Sequence, residues 1–438
     1  MTRWLLRLLM VSSVLLPAVA MARAEAKKPD AFPLADAVEC HARAGLPNLF
    51  AKLEAGKEVR IAYLGGSITA QPGYRVKTLR WFQDQYPKAK VTEINAAIGG
   101  TGSDLGVFRL QHDVLRLKPD LVFVEFAVND GGAAPEDIER WMEGIVRQTW
   151  RADPAIDICF VYTVTQSLVG PMLEGKYPRA ASADDRVADH YGIPTIHMAM
   201  EVARLAKEGK LLWAAKLPKT DEEKKAVEGK FVFAPDNVHP HPETGHELYL
   251  AAVVRSMAPI KAAGKVGPHA LGAPLIADNF ENAKMLPLGA VKLSADWKKL
   301  DETDKMAKGW LGRMPEFWKA DKAGATVTFK FKGTAAAIYD LLGPDCGQVI
   351  VTLDDQPPVT RPRFDRYCVS WRLASLSIGR NLPDAVHTVK IELSPDSPDK
   401  AKIFKDGKQD AENPVDNPKY KPNNWYAGAI MIVGDLVE

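Results

Sequence analysis

Ser67 stands at the end of Val59-Arg-Ile-Ala-Tyr-Leu-Gly-Gly-Ser-Ile-Thr69, an apolar run that meets two glycines and then a hydroxyl. A serine hydroxyl attacks a carbonyl only when a base removes its proton. Far downstream, Asp236-Asn-Val-His239 offers such a base, with a carboxylate three residues earlier to hold the ring in one tautomer. Pro235 and Pro240 stiffen that short loop. Taken alone, an Asp and a His beside prolines would equally make a turn ahead of the next helix. Between the two segments come Gly99-Gly100-Thr-Gly102 and Asn129-Asp130-Gly131-Gly132. The Ser67 and Gly100 amides and the Asn129 side-chain NH₂ are donors suited to an oxyanion, although Asn-Asp-Gly-Gly also suits a plain turn.

These residues need a scaffold that brings distant segments to one place. From 58 to 258 strand-like and helix-like stretches alternate. The strands are expected at Val59–Leu64, Val91–Asn95, Leu121–Phe126, Ile156–Thr163 and Pro194–His197. Nearly continuous apolar runs of this kind belong to parallel strands covered on both faces. Helical stripes fall at Val76, Leu79, Phe82 and Tyr86, at Val107, Leu110, Val114 and Leu117, across Glu136 to Trp150, and at Leu250, Val253, Val254 and Met257. Ser103 or Asp104 is the expected cap of the second. The pattern predicts a three-layer α/β/α domain over 58–265, with Ser67 at the carboxyl end of its sheet. Residues 166–190 and 214–230 read as polar, irregular insertions flanking the site.

Beyond residue 266 the period changes to two, with Val327, Phe329 and Phe331, then Val349, Val351 and Leu353, then Val389, Ile391 and Leu393. That alternation predicts an antiparallel β-sandwich over 266–438. A long loop at 394–424 precedes a closing strand near Ala429–Val433.

Cofactor readings are weak. No Walker lysine follows Ser67, the Gly99–Gly102 cluster lacks the third glycine of a dinucleotide fingerprint, and Thr69 stands where an α/β-hydrolase elbow needs glycine. His239, His241 and His246 have no partnering carboxylate cluster, so neither metal nor cofactor is expected. The formal net charge of +2 in 438 residues, without a basic–aromatic stretch, gives no reason to expect a nucleic-acid partner.

At the N-terminus Arg3 and Arg7 precede an apolar run, Leu8 to Ala20, and then Ala22-Arg-Ala24. This predicts a secretory signal over 1–24, a lead-in helix or linker over 25–57, and an exported protein without stable membrane insertion. Four cysteines are too few for a disulfide scaffold. Cys346 and Cys368, in one C-terminal segment, are able to pair in an oxidising compartment, and Cys159 reads as a buried thiol.

Together the four marks resemble the SGNH hydrolase (GDSL esterase) superfamily over roughly residues 58–258. They are Ser67 in Gly-Gly-Ser-Ile-Thr, Gly100 in Asn95-Ala-Ala-Ile-Gly-Gly100, Asn129 in Ala127-Val-Asn-Asp130, and Asp236 with His239. Gly66 and Ala127 depart from the pattern, which carries an acidic residue and a glycine there. The resemblance implies a flavodoxin-like fold and metal-free ester hydrolysis through an acyl-enzyme on Ser67. Residues 275–438, with Phe329 to Tyr339 and Leu342 to Val349, are similar to the jelly-roll module of microbial carbohydrate acetylesterases. The expected substrate is therefore an acylated carbohydrate. Trp297, Trp310, Trp318, Trp371 and Trp425 are candidates to stack on sugar rings, with only one or two of them expected at the surface. A lipid or lysophospholipid esterase, and a glycan-binding protein with a vestigial hydrolase domain, remain the alternatives.

Overall fold

Hydrophobic runs long enough to be buried on both faces form the first sheet. The computed structural model describes residues 32–407 and 416–438; the expected signal at 1–24 lies outside the described residues. The strands are β1 (Cys40–His41), β2 (Glu58–Gly65), β3 (Lys90–Ala97), β4 (Leu121–Glu125), β5 (Asp157–Tyr162) and β6 (Thr195–His197). Their order is β1-β6-β5-β4-β2-β3, with β1 antiparallel and the others parallel. Strand β2 is first in sequence among the parallel strands, yet it lies between β3 and β4. The chain reverses its direction of travel there, and such a switch point opens a crevice at the strand carboxyl ends.

The helices are α1 (Pro47–Glu54), α2 (Ser67–Ala70), α3 (Tyr74–Gln85), α4 (Ser103–Asp113), α5 (Pro135–Ala152), α6 (Gly170–Leu173), α7 (Arg179–Tyr191), α8 (Met200–Lys207), α9 (Asp221–Ala226) and α10 (Gly245–Ala262). Helices α3, α8 and α10 pack together on one face of the sheet, and α4, α5 and α7 on the other. One core runs from Val59, Ile61 and Tyr63 to Tyr249, Val253 and Met257.

Three local expectations need correction. Residues 166–190 are not irregular, because they contain α7. Its buried side is Ala180, Ala181, Ala183, Val187 and Ala188, too small to print a strong apolar stripe. Helix α4 stops at Asp113, ahead of a 3₁₀ turn at Leu115–Leu117, and Lys118 closes it with a left-handed backbone. Leu117 is consequently exposed, as is Val76. The α4 cap position is Gly102 rather than Ser103 or Asp104. The Ser103 N–H and Oγ–H both donate to Asp130, so the helix start is satisfied by a different segment.

Residues 211–234 add a small parallel pair, β7 (Leu211–Ala214) and β8 (Phe231–Ala234). The rest is antiparallel: β9 (Ala283–Pro287), β10 (Lys292–Leu293), β11 (Trp297–Lys299), β12 (Trp318–Ala320), β13 (Thr326–Leu342), β14 (Gln348–Leu353), β15 (Val359–Pro362), β16 (Arg372–Gly379), β17 (Ala385–Leu393) and β18 (Trp425–Val437), with α11 (Lys400–Asp406) before the last. The 17-residue β13 pairs with β17 through Gly333 and with β16 from Ala336. Its register against β18 shifts between Gly333 and Ala335, where the backbones of Gly333 and Gly434 leave no room for a Cβ. A bulge there bends and twists the long strand, so that the antiparallel sheet wraps its own core. Val327, Phe331, Ile338, Val389, Ile391 and Ile430 fill it.

Of the five candidate tryptophans, Trp297 and Trp425 are core residues packed edge to face at 5.0 Å, and Trp371 is exposed. Cys346 and Cys368 do not pair. Each is a free buried thiol engaged locally, Cys346 with the Leu341 carbonyl and Cys368 with the Asp365 backbone N–H. Cys159 is free and fully buried.

The two halves meet along α5. Arg140 pairs with Asp278 and Arg147 with Glu281, and Gly144 lets the Phe280 backbone pass against the helix.

Candidate active site

Two residues after β2 ends, Ser67 opens the one-turn helix α2. The first N–H groups of a helix have no partner within it, which leaves the Ser67 amide as a donor without a helical acceptor. The Asp236–His239 loop follows β8, with Asn237 at a left-handed φ of 67° at its tip. Asp236 folds back and accepts from the backbone N–H of Val238 at 3.1 Å and of His239 at 2.8 Å. Its other oxygen lies 2.7 Å from His239 Nδ1, and His239 Nε2 lies 2.8 Å from Ser67 Oγ. Residues 172 apart in sequence are thus joined in one chain of hydrogen bonds.

Partial burial pulls the Asp236 carboxyl upward, but the hydrogen bonds from the His239 ring and the two amides win and hold it below its usual range. A carboxylate fixed as an anion at Nδ1 selects the tautomer that leaves Nε2 free to accept the serine proton.

Asn129 opens the turn after β4, beside Ser67. The Asn129 amide lies so close over the Gly66 backbone that a Cβ at 66 would fall inside it. This gives the Gly66 departure a physical reason, since any side chain there would displace Asn129. On the other side, Gly99 passes close to Ser67, and Gly100 adopts a φ of 74° with open space beside its Cα. Asn129 and Gly99 thus approach the Gly66–Ser67 turn from two other segments.

A layer beneath the site was not legible from sequence. Buried Glu125, the last residue of β4, accepts from Thr69 Oγ1 at 2.9 Å and Thr163 Oγ1 at 2.6 Å. Thr69 Oγ1 lies 2.7 Å from Tyr74 Oη, and the Tyr74 N–H donates to His246 Nδ1 at 3.0 Å. This network fastens α2 to β4, to the residue that follows β5, and through Tyr74 of α3 to α10. Burial raises the Glu125 carboxyl and lifts that of Asp130 to about 7, despite the bonds from Ser103. The one available signal was a lone acid inside the apolar run Leu121-Val-Phe-Val-Glu125.

The other histidines go elsewhere. His241 Nε2 lies 2.8 Å from the Ala215 carbonyl, while His246 is buried against Tyr74 and pushed down to about 3 by that burial. The two insertions both touch the site loop, through this Ala215 contact and through a bond from the Gln166 N–H to the Asn237 carbonyl.

Residues 63–248 match the model of the GDSL-like Lipase/Acylhydrolase family. Among solved structures the chain is similar to a two-domain esterase (CEX) active on acetylated mannans, co-crystallised with mannopentaose. That similarity has a TM-score of 0.67 at 20% identity and covers 91% of this chain and 97% of the other. A second structure of that esterase gives 0.66 at 21% identity, with the same coverage. At such identity the likeness shows a shared two-domain fold. No curated protein matches the chain by sequence.

Proposed function

We propose that the chain is an exported serine esterase that removes O-acetyl or other short acyl groups from a carbohydrate. The observation carrying the proposal is the pair of short contacts at His239, 2.8 Å to Ser67 Oγ and 2.7 Å to Asp236. In this reading Ser67 Oγ attacks the acyl carbonyl while His239 Nε2 takes its proton. The Ser67 and Gly100 amides and the Asn129 amide group hold the oxyanion. His239 then gives the proton to the departing sugar hydroxyl, leaving an acyl group on Ser67. Water, deprotonated by His239, attacks that ester, and the proton returns to Ser67 as the acid leaves. Asp236 orients His239 and stabilises its imidazolium form.

The carbohydrate substrate is supported by the fold shared with an esterase active on acetylated mannans. Among the described residues, no helix is long and apolar enough to cross a membrane.

The test is acetate release from a panel of acetylated polysaccharides by wild type and Ser67→Ala. Release by wild type, lowered at least about 10⁴-fold in the variant, is the expected result. Activity confined to small activated or lipid esters would reject the carbohydrate assignment, and full activity of Ser67→Ala would reject the nucleophile.

A further inference from the structure

A groove of about 740 Å³ runs along the outer edge of β3 and is walled on its far side by residues 308–313 of the C-terminal half. Its lining follows β3 from Thr92 to Ala97 and continues to Ile98, about 20 Å at the usual strand rise. The next residue, Gly99, passes against Ser67. Because β3 is the last strand of its sheet, part of its backbone has no strand partner and offers donors and acceptors to whatever lies in the groove.

The charges in the groove are lopsided. Its acids, Glu93 and Asp113, are already neutralised by the buried guanidinium groups of Arg75 and Arg109. Its cations are Arg60, Arg116, Lys308 and Arg313, all exposed. Arg60 donates to the Leu117 carbonyl and Arg116 to the His112 carbonyl, and none of the four forms an ion pair with a described residue. Elsewhere surface lysines pair readily, as in Lys52–Asp120, Lys77–Glu247 and Lys90–Glu58. In a chain of net charge +2, four uncompensated cations from both halves of the molecule form a local positive trough.

We propose that this groove binds an anionic glycan, whose carboxylate or sulfate groups pair with Arg60, Arg116, Lys308 and Arg313 while its acylated unit lies at Ser67. The proposal rests on the carbohydrate-esterase reading for the acylated unit. The guanidinium groups suit a planar carboxylate or a sulfate in a two-pronged pairing, and a neutral glycan would leave them unused. The substrate class is thereby narrowed from acylated carbohydrate to acylated polyanionic carbohydrate.

The experiment measures binding of the full chain to polygalacturonate, to dextran sulfate and to neutral galactomannan by affinity electrophoresis. Lys308→Glu/Arg313→Glu and, separately, Arg116→Glu are run alongside. Retention by one of the anionic glycans and not by galactomannan is expected, and whichever retains more strongly identifies the paired anion. Each charge reversal should weaken that retention at least about ten-fold, as should about 0.5 M salt. Equal retention by galactomannan, no effect of charge reversal, or equal capture of single-stranded DNA would overturn the proposal. Acetate release is assayed separately. Turnover without selective anionic binding leaves the esterase and removes the groove; anionic binding without turnover of any acetylated glycan does the reverse.

Discussion

In the β-sandwich, Asp340 is fully buried with both oxygens paired to Arg363 at 2.6 Å and a further bond from Trp425 Nε1. In the α/β half, Asp184 is buried as deeply, yet its Oδ1 has no hydrogen-bond partner among the described residues. The contrast extends beyond these two. Lys400 in the sandwich gives Nζ to three backbone carbonyls, those of Pro344, Tyr420 and Pro422. Asp345 gathers Trp371, Asn424 and Tyr426. Beneath the candidate site, by contrast, Asp184 is raised by burial and then by the nearby carboxyls of Asp130 and Glu125. Saturated polar networks fix one packing. A crowded layer of buried acids gives up stability, and it does so directly under the strand ends that carry Ser67 and Asn129.

The largest effect expected from breaking this contrast is on stability. Arg363→Met leaves Asp340 buried without its counter-ion and should cost about 3–5 kcal/mol in denaturant unfolding. The esterase kcat should stay at the wild-type value below the unfolding transition. A large loss of kcat in the folded variant would mean that the sandwich network also shapes the site.

Gly66→Ala should have the opposite signature. The added methyl meets the far end of the Asn129 side chain, which can rotate away, so the melting temperature should hold while kcat falls about 10²–10³-fold. In an Asn129→Ala background the same change should cost little more, because both act through one amide. Additive losses in the double mutant would show that Gly66 matters for another reason.

The smallest effect is a slope in pH. Folded Asp130 holds its proton up to about 7, whereas an unfolded aspartate releases it near 4. Between those values the folded state binds more protons, so its stability falls as pH rises through about 4 to 7. Asp130→Asn cannot ionise and should flatten that fall, read as melting temperature from pH 4.5 to 7.5. Burial raises Glu125 and Asp184 in the same sense, so part of the slope should remain. An unchanged slope would place the proton on those neighbours instead.

The sequence by itself displayed the five strands of the parallel sheet after β1, the apolar stripes of α3, α4, α5 and α10, and the period-two alternation beyond 326, because buried faces demand apolar residues at fixed spacing. It also displayed Ser67, Gly100, Asn129, Asp236 and His239, since the proposed chemistry needs particular residue types at turns. What it did not contain was anything expressed only between distant segments. Helix α7 was missed because alanines bury well without a strong hydropathy signal, and the α4 start because its donors are satisfied by Asp130, 27 residues away. The pairing open to Cys346 and Cys368 was decided by where each side chain found a local partner. The reason for Gly66 and the acid layer of Glu125, Asp130 and Asp184 appeared only in three dimensions. So did the cationic groove made by Arg60 and Arg116 facing Lys308 and Arg313. Distances between side chains hundreds of residues apart are set by packing, and no local pattern in the chain records them.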